Sequence, residues 1–176
     1  SFIDTAEDVD LGLPSFDTTT RVTRQQALSV PAVASALFLI SGIIAGIPIK
    51  LYKREGNTIT EITDDERTKL LNVDTNSILG SFETKQAMIN DLIMEGACYS
   101  YIGKAGNNAT SLQYLPKYRV SVLDNGKLID RTVLFLVDGN YYDNFNIMRA
   151  VRNSSDGVHG RGLLDDNATH ISSMYN

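Results

Sequence analysis

The side chains with the most capacity for chemistry crowd the C-terminal stretch. His159 and His170 are the only two histidines, and Asp165 and Asp166 lie between them. Imidazole and carboxylate are good zinc ligands, but this spacing matches no recognised metal motif. Asp166 and His170 are also one helical turn apart, where a simple side-chain pair accounts for them. No metal is therefore expected. Arg149, Arg152 and Arg161 gather in the same region. A guanidinium suits paired contacts to carboxylate or phosphate. These three are the candidate contacts to a neighbouring subunit or to passing phosphates, set against the plainer reading of a solvated loop.

Other chemistry is sparse. Gly157, Gly160 and Gly162 are spaced G-x-x-G-x-G, which is not the dinucleotide fingerprint; a flexible loop is expected there. Cys98 is the single cysteine, so no internal disulfide can form. Its apolar context predicts a buried, inert thiol, and the lack of disulfides fits a reducing compartment. Tyr99, Tyr101, Tyr114, Tyr118, Tyr141 and Tyr142 could stack on bases, but aromatics also simply favour strands. The sequence has no P-loop, no nucleophile elbow and no CxxC pair. The sequons at Asn108, Asn153 and Asn167 carry no weight without a secretory signal. The expectation is a protein that is not an enzyme, with no catalytic, cofactor or metal residues.

The elements that would hold these residues can be read from patterning. The 176 residues suit one domain or one piece of a larger protein, and 43% hydrophobic residues suffice for a core. Net charge is −5, which disfavours a tight grip on nucleic acid by this chain alone. Ser1–Arg21 is acidic, with Asp4, Glu7, Asp8, Asp10 and Asp17, and reads as a mobile or partner-docked arm.

Pro31 is well placed to start a helix. Val33, Leu37, Phe38, Leu39, Ile40, Ile43 and Ile44 follow, until Gly46 and Pro48 end it. A helix apolar nearly all round must be buried on most sides; covering those side chains is worth roughly 10–20 kcal/mol before entropy. The competing reading is a membrane anchor over residues 31–49, although a span needs about 20 apolar residues and Pro48 cuts this run short.

Ile49–Ile62 alternates about Glu55-Gly56-Asn57 as a hairpin. Thr63 with Glu66 forms a capping box for a helix over Asp64–Leu71. Ser81–Gly96 has helical spacing at Phe82, Met88, Ile89, Leu92 and Ile93, with Asp91 on the outer side. From Ala97 to Met148 the period is two. Turn signals at Asp124-Asn125-Gly126 and Asp138-Gly139-Asn140 divide it into a meandering antiparallel sheet of four or five strands. Leu163–Tyr175 reads as a last helix. The fold class is α+β: a long buried helix plus amphipathic helices packed on an antiparallel meandering sheet.

Four stretches, in order, carry a resemblance. They are ALSVPAVASALFLISGIIAGIPIKLYKR (Ala27–Arg54), KQAMINDLIMEGACYSYIGK (Lys85–Lys104), SLQYLPKYRVSVL (Ser111–Leu123) and SSDGVHGRGLLDDNATHISSMY (Ser154–Tyr175). Together they resemble the tailed-bacteriophage portal protein family. The resemblance implies a structural subunit of an oligomeric ring, typically a dodecamer, at a capsid vertex of the virion. DNA is packaged and ejected through such a ring, and terminase and capsid proteins are its partners. The family members run well beyond this length. The expectation is thus an N-terminal, wing-like part covering 22–176, made in the host cytoplasm, with most DNA contacts outside this chain. The alternative is a membrane-associated interaction protein anchored by residues 31–49.

Overall fold

The computed structural model describes residues 22–127 and 129–167. The arm read over residues 1–21, the last part of the expected C-terminal helix and His170 lie outside them.

Thr23 opens the first helix. Its hydroxyl accepts from Gln26 N, and the Gln26 side chain returns the bond to Thr23 N, a reciprocal cap that satisfies two orphan donors. Helix α1 spans Arg24–Ser29 and α2 spans Pro31–Ala45, with Pro31 at its first position. A hairpin follows, β1 (Leu51–Glu55) and β2 (Thr58–Ile62), turning at Gly56 with φ +58°. Helix α3 covers Glu66–Asn72. Its cap is Asp65, not Thr63: the Asp65 carboxylate accepts from Arg67 N and also grips the Arg67 guanidinium. A charged acceptor with two donors outcompetes the neighbouring hydroxyl.

Helix α4 (Ser81–Glu95) ends at Gly96, whose φ of +78° is left-handed. It leads into β3 (Ala97–Ala105), β4 (Asn108–Leu115), a 3₁₀ turn over Lys117–Arg119, β5 (Val120–Asp124), β6 (Val133–Val137), β7 (Asn140–Tyr142), β8 (Ile147–Val151) and the short α5 (Leu163–Asp166). The class is α+β, as expected, and β1–β2 is the expected hairpin, but the single meander is replaced by two three-stranded antiparallel sheets, β4–β3–β8 and β5–β6–β7. The chain returns from β7 to place β8 beside β3, so β3 becomes a central strand. Asp138-Gly139 makes a tight turn with φ values of +48° and +83°, the mirror-image geometry that suits hairpins. Asp124-Asn125-Gly126 instead begins a longer loop, and β6 starts only at Val133.

Alternation along β3 sets the layers. Ala97 and Tyr99 face Val120, Val133, Phe135, Val137 and Ile147 in the main core. Cys98 and Ser100 point the other way and are equally buried, where α4 packs. Helix α2 packs in turn on α4. The layer order is α2, α4, the β4–β3–β8 sheet, then the β5–β6–β7 sheet.

The buried reading of α2 is wrong for this chain. Only Leu37, Ser41 and Ala45 are covered, whereas Phe38, Leu39 and Ile43 are 63%, 65% and 62% exposed. The neighbouring α4 and the short α1 cover only one stripe, and the remaining apolar side faces outward. Among the described residues no helix is long and apolar enough to cross a membrane.

Candidate functional site

The structure divides the three candidate arginines. Arg149 lies on β8 opposite Tyr99 of β3, so it shares the core-facing side of the sheet. Its guanidinium carbon sits 5.5 Å from the Phe135 ring centre, a stacking that suits this weakly hydrated cation. Its Nη1 is buried without a hydrogen-bond partner among the described residues. Arg152 and Arg161 come together instead. Arg152 Nη1 donates to the Arg161 carbonyl at 3.0 Å and to Asp166 Oδ2 at 3.3 Å. Arg161 Nε lies 3.3 Å from Asp166 Oδ1. One carboxylate thus holds two guanidinia.

Of the metal quartet weighed from sequence, His170 lies outside the described residues, and the three described members do not come together. Asp165 accepts from Gly162 N at 3.1 Å, and Asp166 serves the two arginines. His159 belongs to another group. Its Nδ1 is 2.7 Å from Asp156 Oδ2, and Asp124, Asp156 and His159 bring ligand-type atoms within 4.8 Å of one another. The cation there is Arg131, which bonds both Asp124 and Asp156. Hydrogen bonds from Arg131 hold the Asp124 carboxyl below its ordinary range. Bonds from the His159 side chain, then from backbone N–H groups of His159 and Val158, hold Asp156 lower still. This cluster fastens the 153–159 loop to the end of β5. Patterning missed it because its members are far apart in sequence.

A second polar centre joins the helices to the sheet. Asp91, with 0% of its side chain exposed, accepts from Arg24, from the Tyr114 hydroxyl at 2.7 Å and from Lys117 N at 3.0 Å. Arg24 also reaches Glu95 at 3.0 Å. Burial opposes the charge on Arg24, but the two carboxylates overcome it and its pKa is raised. Burial, then the bond to Asp91, pushes the Tyr114 phenol up. An open cleft beside this centre is lined by Arg24, Glu95, Lys117, His159 and Asp165. Arg24 and Glu95 are engaged with each other, His159 with Asp156 and Asp165 with the Gly162 backbone, while Lys117 packs on a ring. Lys117 Nζ lies 5.9 Å from the Tyr99 ring centre.

Of the expected loop glycines, Gly157 does sit in open space at a left-handed φ of +71°, but Gly160 and Gly162 are packing glycines. A Cβ on Gly160 would collide with the Gly96 carbonyl, and one on Gly162 with the Met94 carbonyl. Arg152 N donates to Gly96 O at 2.8 Å, so this segment lies directly on the α4–β3 corner. Cys98 is buried as expected, its thiol pushed up to about 11 by burial. Tyr99 and Tyr101 pack on Phe135 and Tyr142 inside the fold, which withdraws them from base stacking. Tyr118 and Tyr141 remain exposed.

What the surface offers most plainly is contact area without charge. Leu39, Ile40 and Ile43 are exposed on the outer side of α2, Ile47 is exposed just past its end, and Tyr52 and Ile59 are bare on the hairpin. On the far layer, Leu123 and Leu134 pair across β5 and β6, and Leu136 and Tyr141 across β6 and β7. Exposed apolar patches of this kind mark interaction surfaces.

Solved structures share the arrangement. An HK97 family phage portal protein from Corynebacterium diphtheriae superposes with a TM-score of 0.59 at 18% identity, covering 86% of this chain and 46% of its own. A chain in the virion of a native gene transfer agent particle gives 0.63 at 16% identity, covering 84% of this chain and 39% of its own. One in the neck of an empty gene transfer agent particle gives 0.60 at 16%, covering 86% and 43%. At these identities the likeness is one of fold, and the chain spans less than half the length of each. No curated protein matches it. Residues 31–173 match the phage portal protein family over four-fifths of the sequence, and the chain belongs to that family.

Proposed function

We propose that this chain is a structural part of a phage portal ring, the N-terminal wing-like portion of a longer subunit, and that it catalyses no reaction. In this reading residues 22–176 form the wing, and the assembled ring sits at one vertex of the virion capsid. DNA passes through the ring during packaging and ejection, terminase docks on the rest of the subunit, and capsid proteins are further partners. The family membership supports the class. The observation that carries the role is the bare apolar side of α2, with Ile43 62% exposed, since a surface that ends in water has no use for it.

The acidic balance of −5 also fits a wall that DNA passes rather than a surface that grips it. Of the arginines, Arg161, whose side chain is 66% exposed, is the better candidate for a carboxylate of a neighbouring subunit or a phosphate; the unpaired Arg149 donor is buried, and Arg152 is one-third exposed and shares Asp166. Electron microscopy of the longer portal polypeptide carrying these residues tests the reading. Closed rings with a central channel and this segment on the periphery are expected. A monomer, or this segment lining the channel, would refute it.

A further inference from the structure

Asn125-Gly126 is the only Asn-Gly pair in the sequence, and both residues are exposed. A side-chain amide followed by glycine is open to attack by the next backbone nitrogen, because glycine has no Cβ to stand in the way. Gly126 has a φ of +69°, and nothing lies within 4 Å of where its Cβ would be.

The neighbouring hydrogen bonds favour that attack at each atom it involves. Gly126 N, the nucleophile, donates to Asp124 Oδ1 at 3.0 Å. This carboxylate is placed to take the proton as the nitrogen bonds to carbon. Bonds from Arg131 hold Asp124 below the ordinary carboxylate range, so it is ionised at neutral pH. Asn125 Oδ1, where negative charge develops, accepts from Lys127 N at 3.2 Å, which is the task of an oxyanion donor. Asn125 Nδ2, the leaving group, donates to the Asp130 carbonyl at 3.0 Å. Asn125 N is tied to Thr132 O at 3.2 Å, so the base of the loop is fixed while its tip meets water.

We propose that Asn125 is a self-modification site, converted to aspartate and isoaspartate by the backbone of its own loop, with Asp124 as the base. Gly126 N bonds to Asn125 Cγ, and the Cγ–Nδ2 bond breaks. The proton from Gly126 N passes through Asp124 to the departing nitrogen, which leaves as ammonia. Water then opens the cyclic imide. Cleavage of its Cγ–N bond gives aspartate, and cleavage of its backbone C–N bond gives isoaspartate. Solvent water is the one reactant consumed. The new carboxylate replaces a donor to the Asp130 carbonyl and adds negative charge beside Asp124. The loop thereby loses a tie next to Arg131, the cation that also holds Asp156. None of this chemistry depends on the chain being part of a ring.

Peptide mass spectrometry of the whole chain, incubated at neutral pH, reads the amide-to-acid mass gain at Asn125, and an isoaspartate assay separates the two products. Conversion should be at least threefold faster in the folded chain than in the same chain unfolded in guanidinium chloride. A folded rate at or below the unfolded one would overturn the proposal. Aspartate without isoaspartate would overturn it too, because that result means direct hydrolysis with no imide. Asp124→Asn keeps an acceptor for Gly126 N but has no base; with its fold verified by circular dichroism, its rate should drop to the unfolded value. Arg131→Gln loosens the same loop and keeps the base, so its folded rate should stay above the unfolded value. An unchanged rate in Asp124→Asn, or equal slowing in both variants, would remove Asp124 from the chemistry and sink the proposal.

Discussion

Asp91 shows why single residues matter more here than their sequence context suggests. It occupies a polar position in the helical pattern of α4, yet it is wholly buried and holds Arg24, Tyr114 and the Lys117 backbone at once. Nothing in a local window shows this, because its partners come from α1, β4 and the 3₁₀ turn. Removing one member of a buried ion pair strands the other and costs about 3–5 kcal/mol. Arg24 is one-third exposed, which places Asp91→Ala near the lower end, about 3 kcal/mol in urea denaturation. A change below about 1 kcal/mol would show that the centre is dispensable.

Asp124 and Asp156 give a pH signature instead. Their folded pKa values lie below the ordinary 3.8, so the stability they supply is complete above that value and is lost as pH falls through the folded ones. The melting temperature should therefore drop progressively below about pH 4, and Asp156→Asn should flatten that drop. Equal slopes in thermal melts of the two proteins would contradict this account of the loop.

Elements were legible where one local rule decided them. The hairpin at Gly56, the end of α4 at Gly96 and the start of α2 at Pro31 each follow from a turn, cap or ring constraint that acts within a few residues. What failed depended on distant partners. The burial of α2 could not be read from its own composition, because its neighbours cover only Leu37, Ser41 and Ala45. The role of Gly160 and Gly162 depends on a corner more than sixty residues upstream. Two contrasts test this scale. Leu37→Ala should cost about 2–4 kcal/mol as a core truncation, while Ile43→Ser should stay within about 0.5 kcal/mol in the isolated chain; chemical denaturation of both would read the difference, and equal losses would mean that the outer stripe is covered. Gly160→Ala should destabilise by about 1–3 kcal/mol through overpacking against Gly96, whereas Gly106→Ala, at a turn with open space around it, tests positive-φ strain alone and should cost about 1 kcal/mol.

At the scale of the whole molecule, the sequence conveyed the family and the α+β class but not the fact that the layered stack ends in apolar surface on both sides. Ordered stretches of portal-like sequence are a property of the chain alone; what covers α2 is a property of an assembly. The central claim is that the bare ridge is a surface made for assembly. The direct measurement is the rate at which a maleimide labels Ile43→Cys in the free chain and in the assembled portal particle. The account predicts rapid labelling of the free chain and at least a tenfold slower rate in the particle. Equal rates in the two would contradict it.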